Sequence, residues 1–523
     1  MRVLTITLVC FFALFRPHNA GRVLGLFPHP GRSHQMVFEP LLQELANRGH
    51  NVTVVSFFPL ANPPPNYKDL SLRGLAQIGI EVIDLSMFEN PEPPLLKQFS
   101  KLMGFFPLAD MALGVCEKLV EWPELHEVFH KDDYDVILVE NFNSDCLLGL
   151  AHAYGMTAPT IGLLSSIMMP WSYDRLGITS NPAYVPAIST DFTDKMTFYE
   201  RLENTVIHYY LKYWFRNMIQ LKEQEIVEKH IGRKLTDFDV LAKNMSAMLI
   251  NSHHSLNGGR PTVPGLIEIG GMHVTPSKNT IPPHIEKFMN ESAHGVILFS
   301  FGSLIKTSTM PKHKEDIIVK VLSQFPQRII WKHESSDAEG TITGNILRLK
   351  WLPQRDLLHH PKVVAFIAHG GLLGMTEAVH AGVPMLVIPF FGDQPANGVA
   401  AEGAGFGKVL QYVEITEESF YNAIKEVLDP QKRVKAARLS QVWHDRPMSP
   451  LDTAVYWVER TIRLGHLQNT GTSAAELPAY QLALLDVAAT IAAAILTILA
   501  IIFLIAKFIV SNLFNKSNKQ KTH

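Results

Sequence analysis

The chain has 523 residues, more than one hydrophobic core usually organises, so we expect two domains of roughly 200 to 250 residues each. Lysine and arginine total 47, and aspartate and glutamate total 49. A balance this close to neutral gives no reason to expect a nucleic-acid partner.

Residues 1–20 have the pattern of a secretory signal peptide. Arg2 supplies the positive start, residues 3–15 are apolar, and Ala20 is the candidate cleavage site, with the bulky His18 at its −3 position. A strand pattern at 23–27 follows directly, which favours a cleaved leader over a core strand or an uncleaved anchor. We therefore predict a mature chain inside the secretory pathway.

The first half of the chain alternates apolar strand patterns with helical patterns. We predict strands at 23–27, 52–57 and 134–139, and helices at 36–48 and 147–153. Such alternation indicates a parallel sheet covered by helices on both faces. An aromatic-rich helical stretch at about 191–230 belongs to this first domain, 21–275. For that stretch we favour ordinary packing over a cap on a cleft or contact with a bilayer.

The alternation restarts after a seam at 271–290, where prolines interrupt regular structure. We predict strands at 296–299, 328–331, 363–368 and 384–388, and helices at 312–325 and about 373–381. The second domain covers 276–465. Two doubly wound α/β domains of this kind face each other across a cleft at the carboxyl ends of their strands, where ligands bind.

Residues 487–506 are uncharged and apolar on every side. A helix of that length spans about 30 Å, the thickness of a bilayer core, so we predict a transmembrane helix after a juxtamembrane segment, 466–486. The tail, 507–523, contains lysines and no acid, which predicts a cytosolic tail and lumenal domains. Lys519 and Lys521 resemble a K-x-K-x-x endoplasmic-reticulum retrieval signal, with a generic basic flank as the alternative.

The cysteine count argues against a disulfide scaffold. Cys10 lies in the predicted signal peptide, which leaves Cys116 and Cys146. One bridge between them is compatible with a lumenal chain, but we favour two buried thiols. The N-x-S/T triplets at Asn51, Asn244 and Asn290 are candidate glycosylation sites.

The segment 351–397 combines glycines with polar side chains in a suggestive order. His369 ends a predicted strand, and Gly370 and Gly371 make a tight turn into a helix. A helix N-terminus offers unpaired N–H groups and partial positive charge, so a phosphate binds well there. Glu377, one to two turns further along, can accept hydrogen bonds from a ribose. Each feature is weak alone, because a Gly-Gly turn is commonly only a connection; the ordered series carries the prediction.

The series resembles the donor-binding signature of the UDP-glycosyltransferase family, which includes the animal UDP-glucuronosyl- and UDP-glucosyltransferases. The stretch 140–146, which reads E-x-F-N-x-D-C, resembles invertebrate members. W-x-P-Q starts at Trp351, H-x-G-G starts at His369, Glu377 stands six residues after Gly371, and D-Q follows at 393–394. The stretch 300–303 is similar to the family's S-F-G-S. The resemblance implies two Rossmann-like domains of the GT-B type.

By this resemblance, the donor is a UDP-sugar, with UDP-glucose favoured and UDP-glucuronate as the alternative. Many relatives have Ser or Asn where this chain has Gly374, so a phosphate contact is either lost or made by Thr376. The implied donor-site residues are Trp351 on uracil, Gln354 on uridine, His369 with the Gly370, Gly371 and Leu372 backbone on pyrophosphate, Ser303 close by, Glu377 on ribose, and Asp393 and Gln394 on the sugar.

The resemblance also implies a catalytic histidine. His34, in a loop after the first strand, matches the family's general base, and an unperturbed histidine pKa near 6.5 suits that role. His29 in the same loop is interpreted as a solvated residue. The acidic partner of His34 stays open between Asp145, the first choice, and Glu140, at the end of the 134–139 strand.

The implied reaction inverts the sugar at C1, with a small lipophilic molecule as acceptor. We expect no metal site and no cofactor besides the UDP-sugar co-substrate. Asp132–Asp133 and Asp237/Asp239 imitate D-x-D but are interpreted as solvated. A non-catalytic binder or carrier of small hydrophobic molecules is the alternative function. The sequence carries no signal for an oligomeric state.

Overall fold

The computed structural model divides into two units, the first ending at Gly471 and the second beginning at Thr472. Most of the predicted signal peptide lies outside the described residues, as do Asp132, Pro276 and Lys521. The structure describes residues 20–76, 83–90, 93, 102–130, 133–275, 281–337 and 340–520, of which 514–520 by backbone only.

The first half of the chain forms a seven-stranded parallel sheet in the order β3-β2-β1-β4-β5-β6-β7. Its strands are β1 Arg22–Phe27, β2 Asn51–Ser56, β3 Tyr67–Ser71, β4 Val136–Glu140, β5 Thr160–Leu164, β6 Ala247–Ile250 and β7 Leu266–Glu268. Its helices are α1 Arg32–Asn47, α2 Phe106–Leu119, α3 Pro123–Phe129, α4 Cys146–Ala153, α5 Phe198–Trp214, α6 Leu221–Ile231, α7 Phe238–Lys243 and α8 His254–Asn257, with a π-helix Phe215–Gln220 between α5 and α6.

A second seven-stranded sheet follows in the order β10-β11-β9-β8-β12-β13-β14, parallel except for the β10–β11 pair. Its strands are β8 Val296–Ser300, β9 Arg328–Lys332, β10 Thr341–Thr343, β11 Ile346–Leu349, β12 Val363–Ala368, β13 Met385–Val387 and β14 Gly407–Val409. Its helices are α9 Pro283–Asn290, α10 Lys312–Leu322, α11 Gln354–Leu358, α12 Leu372–Ala381, α13 Gln394–Gly403, α14 Glu417–Val427, α15 Pro430–His444 and α16 Pro450–Leu464.

The central strands are apolar on both faces, which is why each sheet is covered on both sides. Every residue of β4 and of β8 is buried. Separate apolar cores lie on the two faces of each sheet. This is the packing that a parallel sheet with crossover helices requires. The prediction of two doubly wound α/β domains is confirmed.

The aromatic-rich stretch predicted at about 191–230 is helical, as α5, the π-helix and α6. One face of α5 packs inward through Ile207, Leu211 and Trp214, while Tyr199 and Tyr213 on the other face are exposed. The helix is therefore amphipathic, with packing on one side as expected.

The second domain was predicted to extend to residue 465, but α16 packs on the first sheet. Ala454, Val455 and Val458 of this helix are buried in the same core as Val23 and Leu138 of the first sheet. Residues that follow α16 also pack on the first domain, since Gly265 N donates to Thr470 O at 2.7 Å. The segment predicted as juxtamembrane from 466 thus begins inside the first unit.

The second unit contains α17 Ala479–Leu482 and α18 Leu485–Gln520. The part of α18 from Leu485 to Leu513 is long and apolar enough to cross a membrane by length and composition. It is longer than the predicted 487–506, because the helix continues through the residues on both sides of that apolar run.

The expectation of two free thiols is wrong. Cys116 and Cys146 form a disulfide that joins the end of α2 to the start of α4, with their Cα atoms 5.8 Å apart. That separation lies in the range that a disulfide needs. The sequence does not reveal it, because tertiary packing brings together two cysteines that are 30 positions apart in the chain.

Candidate active site

His34 lies in the first turn of α1, at the carboxyl edge of the first sheet, and not in a loop as predicted. Its Nδ1 is 2.7 Å from Ser165 Oγ and 3.2 Å from Glu140 Oε1. Glu140 ends β4, which pairs with β1, and Ser165 follows β5, the next strand of the parallel sheet, so both groups lie at the same edge as His34. The structure thus places Glu140, and not the first choice Asp145, beside His34.

Burial sets the protonation of this pair. It lowers the pKa of His34 to about 3. It also raises the pKa of Glu140 to about 7, outweighing the opposing effects of His29, the Phe142 amide and Arg175. At neutral pH the imidazole is therefore uncharged, but it is a weaker base than the unperturbed histidine, with a pKa near 6.5, that the sequence analysis assumed. Its Nε2 has no hydrogen-bond partner within the described ranges, so it can accept a proton from a hydroxyl placed in the cleft.

Four further residues complete this site, three of which the sequence did not single out. Ser165 holds Nδ1, and Phe142 packs edge-on against the His34 ring with centroids 4.5 Å apart. His29, predicted to be solvated, is buried, with its ring centroid 4.0 Å from that of His34. Asn143 Oδ1 lies 3.1 Å from His29 Nδ1. Phe142 and Asn143 lie two and three residues after the end of β4, and this position just past a strand end is the signal that marks them as cleft residues.

Asp145 belongs to a buried network away from His34. Arg175 contacts its carboxylate with two hydrogen bonds of 2.8 and 3.0 Å, and Gln220 donates a third at 2.9 Å. The Asp145 amide donates to Glu223 Oε2 at 2.8 Å. All four side chains are buried. The contact predicted between Asp145 and His34 is therefore replaced by an ion pair with Arg175, which holds the 141–145 loop in place.

A second group of predicted residues meets at the carboxyl edge of the second sheet. β12 ends one residue before His369, Gly370 adopts a φ of +86°, and α12 starts after Gly371 without a side-chain cap. A Cβ on Gly371 would lie 2.4 Å from His369 Nε2, so any larger residue there would displace this imidazole. His369 Nδ1 is buried without a partner in the described part of the chain. The first amides of α12 and this imidazole are thus available to an anion.

Gln354 and Glu377 lie together beside that turn. Gln354 Nε2 donates to Glu377 Oε2 at 2.7 Å, and burial raises the pKa of Glu377 to about 7. Trp351, which begins the same motif, is 72% exposed and therefore available as a stacking surface. At Gly374 a Cβ would lie 3.2 Å from Gln354 Nε2, so the glycine leaves room for this amide.

Thr376 does not occupy the position proposed for it. Its side chain is fully buried, and its Oγ1 donates to Leu373 O at 2.8 Å and lies 3.3 Å from His273 Nε2. The hydroxyl is used inside the protein, so the missing side chain at Gly374 is not replaced by Thr376. Thr376 stands two residues after Gly374, about 200° further around the helix, so the two positions lie on different faces, which explains the difference.

Asp393 and Gln394 begin α13 next to the same turn. Asn397 Nδ2 donates to Asp393 Oδ2 at 2.8 Å and to Gly370 O at 2.9 Å, which ties α13 to the turn before α12. Gln394 Oε1 accepts from the amides of Phe390 and Phe391. Burial raises the pKa of Asp393.

Ser303 is exposed and lines a cavity of about 620 Å³ together with Trp351 and several charged side chains. One of these, Lys332, was not predicted. Its Nζ lies 5.9 Å from the Trp351 ring centroid and 2.7 Å from Glu334 Oε1. The two halves of the first unit also share a cavity of about 340 Å³, lined by Met36 and Glu39 of α1 and by Arg355 of α11.

Comparisons with known proteins identify the family and the fold. The family described as "UDP-glucoronosyl and UDP-glucosyl transferase" matches residues 22–520. A UDP-glycosyltransferase of Dactylopius coccus is 38% identical over 95% of this chain and 93% of its own length. A UDP-glucosyltransferase of the same organism is 34% identical over 98% of each chain. The crystal structure of the kitacinnamycin glycosyltransferase has a TM-score of 0.53 at 19% identity and covers 85% of this chain and 98% of its own, a likeness of GT-B fold alone.

Proposed function

Because the chain belongs to the UDP-glucuronosyl and UDP-glucosyl transferase family, we propose that it moves a hexose from a UDP-sugar to a hydroxyl of a small lipophilic acceptor, with inversion at C1. The family makes the chain a UDP-glycosyltransferase. The observation that carries the finer proposal is the neutral His34, held through Nδ1 by Glu140 and Ser165 with Nε2 left to the cleft.

In the proposed reaction, His34 Nε2 takes the proton of the acceptor hydroxyl as its oxygen forms a bond to C1. The bond from C1 to the diphosphate oxygen breaks, and UDP leaves with the electron pair. Attack from the side opposite UDP inverts C1. Glu140 stabilises the imidazolium that forms, while the amides at the start of α12 and His369 stabilise the charge on the leaving phosphate. UDP-sugar is a co-substrate here, and the proposal involves no resident cofactor or metal.

The donor would lie along the second sheet. Trp351 would stack on uracil, Gln354 would contact the uridine, and Glu377 would bind the ribose. The backbone of Gly370, Gly371 and Leu372 would hold the pyrophosphate with Ser303 nearby, and Asp393 with Gln394 would hold the sugar. Their convergence around one βα turn supports this assignment. UDP-glucose is favoured, since a relative of 34% identity is named a UDP-glucosyltransferase.

We further propose a single-pass protein of the endoplasmic-reticulum membrane with lumenal domains. The disulfide between Cys116 and Cys146 suits an oxidising compartment. Asn51, Asn244 and Asn290 are all exposed, as glycosylation requires. The helix from Leu485 to Leu513 supplies the span, and the basic tail follows it with Lys516 and Lys519.

Substitution of Gly371 by alanine should weaken UDP binding at least about tenfold. The added methyl group would press on His369, which must move or displace the turn that receives the diphosphate. Calorimetry on the detergent-solubilised full chain measures the change. Gly403→Ala is the matched control, because nothing lies within 4 Å of a Cβ at that helical position. Equal UDP affinity of the two variants would place the donor elsewhere.

A donor panel tests the proposed function as a whole. Microsomes that contain the protein are incubated with UDP-glucose or UDP-glucuronate and a set of phenols. We expect a glycoside of inverted configuration, with UDP-glucose the better donor. Tight UDP binding without any glycoside would support the non-catalytic carrier, whereas a product of retained configuration would contradict the direct displacement.

A further inference from the structure

Two histidines and a glutamate meet at the carboxyl edge of the first sheet, outside the cleft residues described above. His253 and His254 follow β6, and Glu268 is the last residue of the neighbouring strand β7, in register with Ile250. One ligand atom from each of the three side chains lies within 4.8 Å of the other two. Within the described ranges, these are the side chains whose spacing suits a metal ion.

The backbone that carries these side chains is held by short-range contacts. Gly270 N donates to Ser252 O at 3.0 Å, and a Cβ on Gly270 would lie 2.6 Å from that oxygen, so the two strand ends touch. Asn257 N donates to His253 O, and His253 N donates to Asn257 Oδ1. The positions of the three residues are therefore set before any ligand arrives.

Neighbouring side chains also orient the candidate ligand atoms. His253 Nδ1 lies 2.7 Å from Ser255 Oγ, which leaves Nε2 to the cluster, and its ring packs edge-on against Trp443 of α15. Ser252 Oγ donates to Glu268 Oε1 at 3.4 Å. Hydrogen bonds to the far side of metal-binding imidazoles and carboxylates commonly fix their tautomer and direction.

We propose that His253, His254 and Glu268 form a binding site for a divalent transition-metal cation of the zinc class. Two imidazoles and one carboxylate suit Zn²⁺ and Co²⁺, with water in the remaining position. His254 Nδ1 is 3.1 Å from Glu268 Oε2, and the cation replaces the proton between them. That proton moves to His254 Nε2, so a neutral imidazole binds the metal with no net proton release.

One nearby charge opposes the cation. Arg446 donates to Gly270 O at 3.0 Å and lies over the Trp443 ring, close to Glu268. A single carboxylate beside a guanidinium holds a divalent cation less strongly than a site with two free carboxylates, so we expect a Kd on the order of micromolar. The bound metal would join the ends of β6 and β7 under Trp443 and stabilise the first unit there.

Metal titration of the untagged, chelator-treated full chain in detergent tests the proposal without donor or acceptor. We expect one equivalent of Zn²⁺ by calorimetry, a visible absorption band with Co²⁺, and a higher unfolding temperature with either ion. His254→Ala and Glu268→Gln should each weaken binding at least about tenfold, since each removes one of three ligands. His254 is mostly exposed, so its replacement leaves the fold intact.

A second histidine cluster supplies the control. His359 Nε2 lies 2.8 Å from His380 Nδ1, and His359→Ala should leave Zn²⁺ affinity unchanged. The proposal is overturned if the wild type takes up no Zn²⁺ at concentrations well above micromolar, if His254→Ala binds as tightly as the wild type, or if His359→Ala abolishes binding. None of these results bears on sugar transfer, so the two proposals fail separately.

Discussion

Replacing His34 by alanine should lower the rate of sugar transfer by about two to four orders of magnitude, the range expected for loss of a general base. The wild-type imidazole is neutral because burial lowers its pKa to about 3, and its Nδ1 is already held by Ser165 and Glu140. Alanine removes the proton acceptor and leaves the second sheet unchanged. Initial rates with saturating UDP-glucose and a phenol measure the loss.

Two controls accompany this variant. UDP affinity, measured by calorimetry, should stay within about twofold of the wild type, because an interaction made only in the transition state does not affect donor binding. His284→Ala, at an exposed position of α9, should transfer sugar at the wild-type rate. If His34→Ala retains more than a tenth of the wild-type rate while binding UDP normally, another group is the base.

The pH profile distinguishes the contribution of Glu140. Since burial raises its pKa to about 7, the carboxyl is protonated below that pH and cannot stabilise an imidazolium. The wild-type kcat/KM should therefore rise with pH up to about 7 and level off above it, as a property of the His34–Glu140 pair. In Glu140→Gln, kcat/KM should be lower, and its rise between acidic pH and pH 7 should disappear. If kcat/KM of that variant still rises with pH in the same way, the titrating group is not Glu140.

Replacing Asp145 by alanine should damage the fold more than the chemistry. The substitution leaves Arg175 buried without its carboxylate, and breaking a buried ion pair typically costs about 3–5 kcal/mol. By the usual scaling for a domain of this size, the unfolding temperature of the solubilised full chain should fall by about 6 to 20 °C. Asp145→Leu combined with Arg175→Met should recover part of this loss, because no buried charge is then unpaired.

Asp239→Ala is the matched control for this loss. Asp239 pairs with Lys243 at 2.7 Å on a partly exposed helix face, where an ion pair contributes less than about 1 kcal/mol. Its unfolding temperature should stay close to that of the wild type. An Asp145→Ala protein that unfolds at the wild-type temperature yet transfers no sugar would show that Asp145, and not Glu140, acts in the reaction.

The sequence by itself determined the features that depend on local pattern. Short apolar runs that alternate with amphipathic helical patterns predicted the central strands. The run predicted at 363–368 matches β12 at both ends. The donor turn was also accessible, because Trp351, His369 and Glu377 belong to one short segment whose order constrains their positions. The apolar run at 487–506 predicted the long C-terminal helix for the same reason.

Only the tertiary structure decided which distant residues meet. Glu140 and Asp145 are five positions apart in one stretch, and their roles differ because β4 delivers Glu140 to His34 while Arg175 and Gln220 hold Asp145. The disulfide and the return of α16 to the first sheet are further examples. Parallel strands bring residues more than 100 positions apart to one edge, and a single sequence records the spacing along the chain but not the order of strands in the sheet.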